Sequence, residues 1–178
     1  MNNATLLLAK AIDFAAKKHV AQRRKGENQE PYINHVAEVA YLLAEATSGQ
    51  DTNLIIAGLL HDTIEDTDTS YSELEENFNK EIADLVLEVT DDKSLQKKER
   101  KRLQVENAPK KSARAKMLKF ADKISNLRSI IQTPPVDWPR EQKVEYFEWA
   151  KCVTDGCRGV NDNLEKLFDE IYSRGKDI

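Results

Sequence analysis

A chain of 178 residues has room for one domain of ordinary size, and can bury about 70% of the surface its unfolded form exposes, without needing disulfides or a structural metal. Hydrophobic residues make up 40% and charged residues 33%, with six glycines and five prolines, which excludes disordered, collagen-like and linker sequences. Basic residues number 27 against 31 acidic ones, and the formal net charge of −4 argues against broad binding to DNA or RNA, which needs a basic face.

In chain order the predicted elements are all helical. Leu6 to Ala9 is too short for a signal-peptide core and is followed by Lys10 and Asp13. Ala11, Ile12, Ala15 and Ala16 share one helical face, and His19 ends that segment, where a cation suits the helix dipole. Val36, Val39, Ala40, Leu42 and Leu43 repeat the spacing. A third helix is expected over about 52–65, apolar on most sides and capped by Asp51, hence central and buried. Its run Leu54 to Leu60 falls far short of the ~20 residues that cross a bilayer, so no membrane association is expected and a cytoplasmic location is.

Ser70 with Glu73 reads as a capping box opening a short helix over about 71–79, and Ile82, Leu85, Val86 and Val89 form the next apolar face. Residues 91–112 are dominated by Lys, Arg, Glu and Gln, with Leu103 and Val105 as apolar anchors, and read as an exposed helix or loop. A long helix over about 113–131 ends before Pro134 and Pro135, and two more follow at about 140–156 and 161–173. The prediction is one all-α domain spanning 1–178. Cys152 and Cys157 have neither zinc-knuckle nor Cys-x-x-Cys spacing and are expected to be structural.

Chemistry concentrates in His61-Asp62-Thr63-Ile64-Glu65-Asp66. On a helix these four polar groups point at about 0°, 100°, 40° and 140°, one arc at the end of an apolar segment. Half-burying three carboxylates with an imidazole is costly unless a divalent cation relieves it. His35 at the start of the second helix and Asp122 in the middle of the long one are the other candidate ligands. Together His35, His61, Asp62 and Asp122 offer an N2O2 set, suited to Mn, Fe, Co or Zn better than to Ca.

The order His35 … His61-Asp62 … Asp122 resembles the ligand pattern of HD-domain phosphohydrolases. More narrowly, the chain is similar to the hydrolase domain of RelA/SpoT-type alarmone enzymes, and most of all to the small single-domain Mesh-type hydrolases. The matching stretches include Gln22-Arg23-Arg24-Lys25, Pro31-Tyr32-Ile33-Asn34-His35, Leu60-His61-Asp62-Thr63-Ile64-Glu65-Asp66-Thr67, Lys119-Phe120-Ala121-Asp122-Lys123 and Asn126-Leu127-Arg128. Val89-Thr90-Asp91-Asp92-Lys93, Lys98-Glu99-Arg100-Lys101-Arg102 and Tyr146-Phe147-Glu148-Trp149-Ala150 add to them. Ala21 and Val36 depart from the family's usual Gly and Pro, at positions that carry no chemistry.

The resemblance implies an HD-type helical bundle holding one Mn2+ through His35, His61, Asp62 and Asp122. It implies that Glu65 and Asp66 form the catalytic acidic pair, orienting or deprotonating water and managing the leaving-group proton. Arg24, Lys25 and Asn126 match positions that contact base, phosphates and ribose; Tyr146 and Lys97 are further candidate contacts. The implied partner is a small nucleotide: guanosine 3′,5′-bis(diphosphate) or its pentaphosphate relative, hydrolysed to GDP or GTP plus pyrophosphate. The ligand set alone also admits a phosphatase acting on NADPH or another nucleotide, whereas a non-catalytic nucleotide sensor would predict a broken ligand set or a lost acidic pair, and the sequence shows neither. Oligomeric state is left open.

Overall fold

The structure, a computed structural model, describes residues 4–175. Among these residues the chain forms ten α-helices and no strand, an isolated bridge between Arg23 and Pro31 aside. The helices are α1 Ala4–Lys18, α2 Ile33–Ala46, α3 Thr52–Leu60, α4 Thr63–Asp66, α5 Tyr71–Asn77, α6 Lys80–Val89, α7 Lys97–Asn107, α8 Ala113–Gln132, α9 Arg140–Asp155 and α10 Asp162–Gly175. A 3-10 turn, Ala108–Lys110, separates α7 from α8.

α3 is the axis of the bundle. Every residue from Leu54 to Leu60 is buried, and α1, α2, α6 and α8 pack around it. Gly58 allows the closest approach: a Cβ there would stand 2.8 Å from Leu43 Cδ1 and 3.3 Å from Ala40 Cα. Asp51 caps the helix as expected, its carboxylate accepting from Leu54 N–H at 3.0 Å, and Ser70 caps α5 through Glu73 N–H at 3.1 Å. Glu73 does not return the bond; its carboxylate turns to Lys18 Nζ on α1, 3.1 Å away.

α8, 20 residues and about 30 Å long, runs beside α2, α6, α9 and α10 and carries much of the apolar core. Its middle is unusual in also burying Lys119, Asp122, Lys123 and Ser125. α7 is the opposite case: it contributes no buried residue and rests on α9, where Trp149 Nε1 donates to the Lys101 carbonyl at 3.1 Å.

The helix expected over 52–65 is broken. α3 stops at Leu60, His61 and Asp62 form a turn, and α4 resumes for one turn at Thr63. Side chains take over the last carbonyls of α3: Thr63 Oγ1 donates to the Leu60 carbonyl at 2.7 Å, and His61 Nδ1 pairs with that of Gly58 at 2.9 Å. The backbone stays in the right-handed helical region at both residues (His61 φ −57°, ψ −30°; Asp62 φ −98°, ψ 0°), and His61 Nε2 and Asp62 Oδ2 come within 3.0 Å.

Candidate functional site

Three elements deliver four donor atoms to one place. His35 comes from the first turn of α2, His61 and Asp62 from the turn after α3, and Asp122 from mid-α8. His35 Nε2 lies 3.6 Å from Asp62 Oδ2 and 3.4 Å from Asp122 Oδ1. His61 Nε2 lies 3.0 Å from Asp62 Oδ2 and 3.9 Å from Asp122 Oδ1. His35, His61 and Asp62 bring one donor atom each within 4.8 Å of one another.

These groups fit a divalent ion. Both Nδ1 atoms are already engaged, His35 with Ser125 Oγ at 2.9 Å and His61 with the Gly58 carbonyl. Both Nε2 atoms are buried with no aligned hydrogen-bond partner among the described residues. Two ligands bound about 2.1 Å from one ion at 90–109° lie about 3.0–3.4 Å apart, close to the separations here. Without an ion the cluster resolves its charge by protonation. Burial opposes a charged His61, yet the Asp62 and Asp122 carboxylates outweigh it and push the imidazole up to about 10. Asp62 and Asp122 are held well below the usual carboxylate range, against their own burial, by His61 and Lys123 respectively and by His35.

Three neighbouring side chains pair with the two carboxylates. Tyr32 Oη donates to Asp62 Oδ2 at 2.5 Å; Lys123 Nζ meets Asp122 Oδ2 at 2.8 Å and Asn126 Nδ2 donates to Asp122 Oδ1 at 2.6 Å. Lys123 is almost wholly buried with its ammonium 4.4 Å from the Trp149 ring centroid, which suits a desolvated cation.

The acidic pair on α4 stands beside this cluster and is held from the 91–100 stretch. Glu65 Oε2 accepts from Asp91 N–H at 3.0 Å, while Oε1 faces Arg100 Nη1 at 3.6 Å and Lys93 Nζ at 3.9 Å. Partial burial, reinforced by the charges of Asp91, Asp62 and Asp66, raises the Glu65 carboxyl above its ordinary pKa, although the Asp91 amide pulls the other way. Asp66 is paired twice, with Lys93 Nζ and with Gln22 Nε2 at 2.9 Å.

A cavity of about 260 Å³ opens next to Asp66 and Tyr32. Arg24, Lys25, Asn126 and Tyr146, all singled out from the sequence, line it together with Trp138. Gly26 seats the Arg24–Lys25 loop against the end of α8, where a Cβ would stand 2.4 Å from the Thr133 carbonyl oxygen. Arg24 reaches Ser125 and Asn126 at 3.3 Å, and the Tyr146 ring packs between Trp138 and Trp149, where burial pushes its hydroxyl up to about 12. Lys97 is not brought here: it is exposed at the start of α7 and does not line this cavity.

Sequence reasoning missed Tyr32, Ser125, Lys123 and Gln22 as parts of the site. Tyr32 and Lys123 stood inside the quoted motifs, but only their partners 30 residues away or one residue along reveal the role. Ser125 carries no signal beyond its place one residue before Asn126.

The family model described as HD domain matches residues 11–146. A guanosine-3′,5′-bis(diphosphate) 3′-pyrophosphohydrolase MESH1 of Drosophila melanogaster is 49% identical over 161 residues, 90% of each chain. The Homo sapiens protein of the same name is 46% identical over 174 residues, covering 98% of this chain and 97% of its own. A solved structure described as a metazoan ortholog of SpoT that hydrolyzes ppGpp and plays a role in starvation responses superposes with a TM-score of 0.91 at 47% identity, over 96% of both chains.

Proposed function

The chain belongs to the HD-domain family, among its small Mesh-type members, and on that footing we propose that it hydrolyses the 3′-diphosphate of guanosine 3′,5′-bis(diphosphate) and of the pentaphosphate. Water enters and the ribose 3′-oxygen leaves, so the products are GDP or GTP and pyrophosphate. The observation that carries this reading is the convergence of His35, His61, Asp62 and Asp122 beside a cavity lined by Arg24, Lys25, Asn126 and Tyr146.

In this reading the four residues hold one Mn2+, a borderline first-row ion matched to two imidazoles and two carboxylates. When bound, such an ion supplies Lewis acidity toward a phosphoryl oxygen and lowers the pKa of a water. Glu65 takes the proton of the attacking water. Its Oε2 is fixed by the Asp91 amide, which orients the carboxylate beside the metal cluster. Asp66, already paired with Lys93 and Gln22, orients the water and the diphosphate. Arg24 and Lys25 grip phosphate or stack on the base, Asn126 meets the ribose, and the Tyr146 hydroxyl stays protonated as a donor.

Among the described residues no helix is long and apolar enough to cross a membrane. We place the reaction in the cytoplasm, a setting that suits the free thiols of Cys152 and Cys157.

The test is ion-exchange analysis of products after Mn2+-loaded protein meets guanosine tetraphosphate, with NADPH in parallel. GDP plus pyrophosphate is the expected outcome. Phosphate released from NADPH with the tetraphosphate left intact would overturn the substrate assignment.

A further inference from the structure

Ser125 is fully buried on α8, and its hydroxyl meets three groups. Its Oγ lies 2.9 Å from His35 Nδ1, 2.6 Å from Glu38 Oε2 and 3.3 Å from Arg24 Nη1. A serine hydroxyl has one proton to donate and two lone pairs with which to accept. The Glu38 carboxylate, which also accepts from Arg128 Nη1 at 2.9 Å, can only accept, and a guanidinium can only donate. The Ser125 proton therefore goes to Glu38, and its oxygen accepts from Arg24. What remains for His35 is a lone pair, so His35 Nδ1 carries a proton and Nε2 is the lone-pair nitrogen of the neutral ring. That nitrogen faces Asp62 and Asp122 at 3.6 and 3.4 Å. The other imidazole is set by different means: His61 Nδ1 pairs with the backbone carbonyl of Gly58, which can only accept.

We propose that Ser125, backed by Glu38, is a positioning residue of the metal site. It holds His35 in the Nδ1–H tautomer with Nε2 presented as a ligand, and through Arg24 it ties that ligand to the substrate cavity. The inference rests on His35 being a metal ligand. Partners of this kind change metal affinity by about 10–100-fold when removed.

Glu38→Gln tests the proton count in particular. Arg128 needs an acceptor, so the new amide turns its oxygen to Arg128 and its NH2 to Ser125. The Ser125 proton is then driven toward His35 Nδ1, and the ring is switched to the wrong tautomer. Ser112→Ala is the control: Ser112 caps the same helix through Ala115 N–H at 3.2 Å, where its loss weakens α8 without altering the Ser125 hydroxyl.

The experiment is calorimetric titration of these variants with Zn2+ as a diamagnetic probe, with the His35 Nδ1–H proton of the loaded protein followed by NMR. Ser125→Ala and Glu38→Gln are expected to bind Zn2+ about 10–100-fold more weakly than wild type and to lose the slowly exchanging Nδ1–H signal. Ser112→Ala is expected to keep both. Wild-type affinity and an unchanged Nδ1–H signal in Ser125→Ala overturn the inference; should that variant not fold, the same result in Glu38→Gln does so. A wild-type protein that binds no Zn2+ removes the ligand reading of His35, and the inference falls with it.

Discussion

Tyr32 and Asp62 are 30 residues apart in sequence, yet the Tyr32 hydroxyl donates to Asp62 Oδ2 at 2.5 Å, the oxygen that also lies 3.0 Å from His61 Nε2. Tyr32 packs against His35 as well, ring centroids 5.2 Å apart, so one side chain braces two donors at the edge of the cavity. Its hydroxyl is kept protonated by burial and by the neighbouring carboxylates. Tyr32→Phe removes one charge-assisted bond and is expected to cost about 1–3 kcal/mol of stability in the metal-free protein. Chemical denaturation measures it, and an unchanged midpoint would show that the bond contributes nothing.

Glu65→Gln keeps the size and the Asp91 contact of the side chain while removing its basicity. Turnover is expected to fall by about 10²–10⁴-fold with metal affinity unchanged. Retained turnover in the variant would remove Glu65 from the proton transfer.

Metal removal changes the pH dependence of stability. The metal-free His61 pKa is pushed up to about 10 from an ordinary 6.5. A basic group raised in this way adds stability that is complete below pH 6.5 and is lost as pH rises through about 10. An ion bound at His61 competes with that proton, so the loaded protein lacks this contribution and releases protons on binding. Tm measured with chelator should therefore decline across this window more steeply than Tm measured with Mn2+. Parallel curves would mean that His61 is not coupled to the ion.

Gly26→Ala probes the loop that carries Arg24 and Lys25. Its Cβ would meet Thr133 at 2.4 Å from the carbonyl oxygen and 2.7 Å from Oγ1, so the loop must move off the end of α8. A KM raised by about tenfold, or about 1.4 kcal/mol, with kcat little changed is the expected steady-state result. A fall in kcat at constant KM would instead mean that the loop shapes the chemical step.

The helical plan was legible because burial follows periodicity: α3 is apolar on most sides and lies at the centre, and Asp51 and Ser70 cap where side chains of their type should. His35, His61, Asp62 and Asp122, the proposed ligands, stood out through the polar cluster that ends an apolar segment and the order His … His-Asp … Asp. The break at His61–Asp62 was not, because local spacing favours continuing the helix, and the bonds from His61 and Thr63 side chains to the last α3 carbonyls leave no periodic signal. Tyr32 and Ser125 were hidden for a related reason: their roles are set by partners 30 and 90 residues distant. Lys97, a charge in a suggestive run, is left in solvent at the start of α7 and away from the cavity.

The thinness of α7 has a thermal consequence. Segments with few buried contacts open at free energies well below that of the whole protein. α7 buries no residue, yet its Arg100 faces Glu65. Warming should therefore release Glu65 from Arg100 while the bundle around α3 and α8 is still intact. Activity and helicity would then have separate melting points, the first lower and reversible, and a shift in working temperature could be met by substitutions in α7 alone.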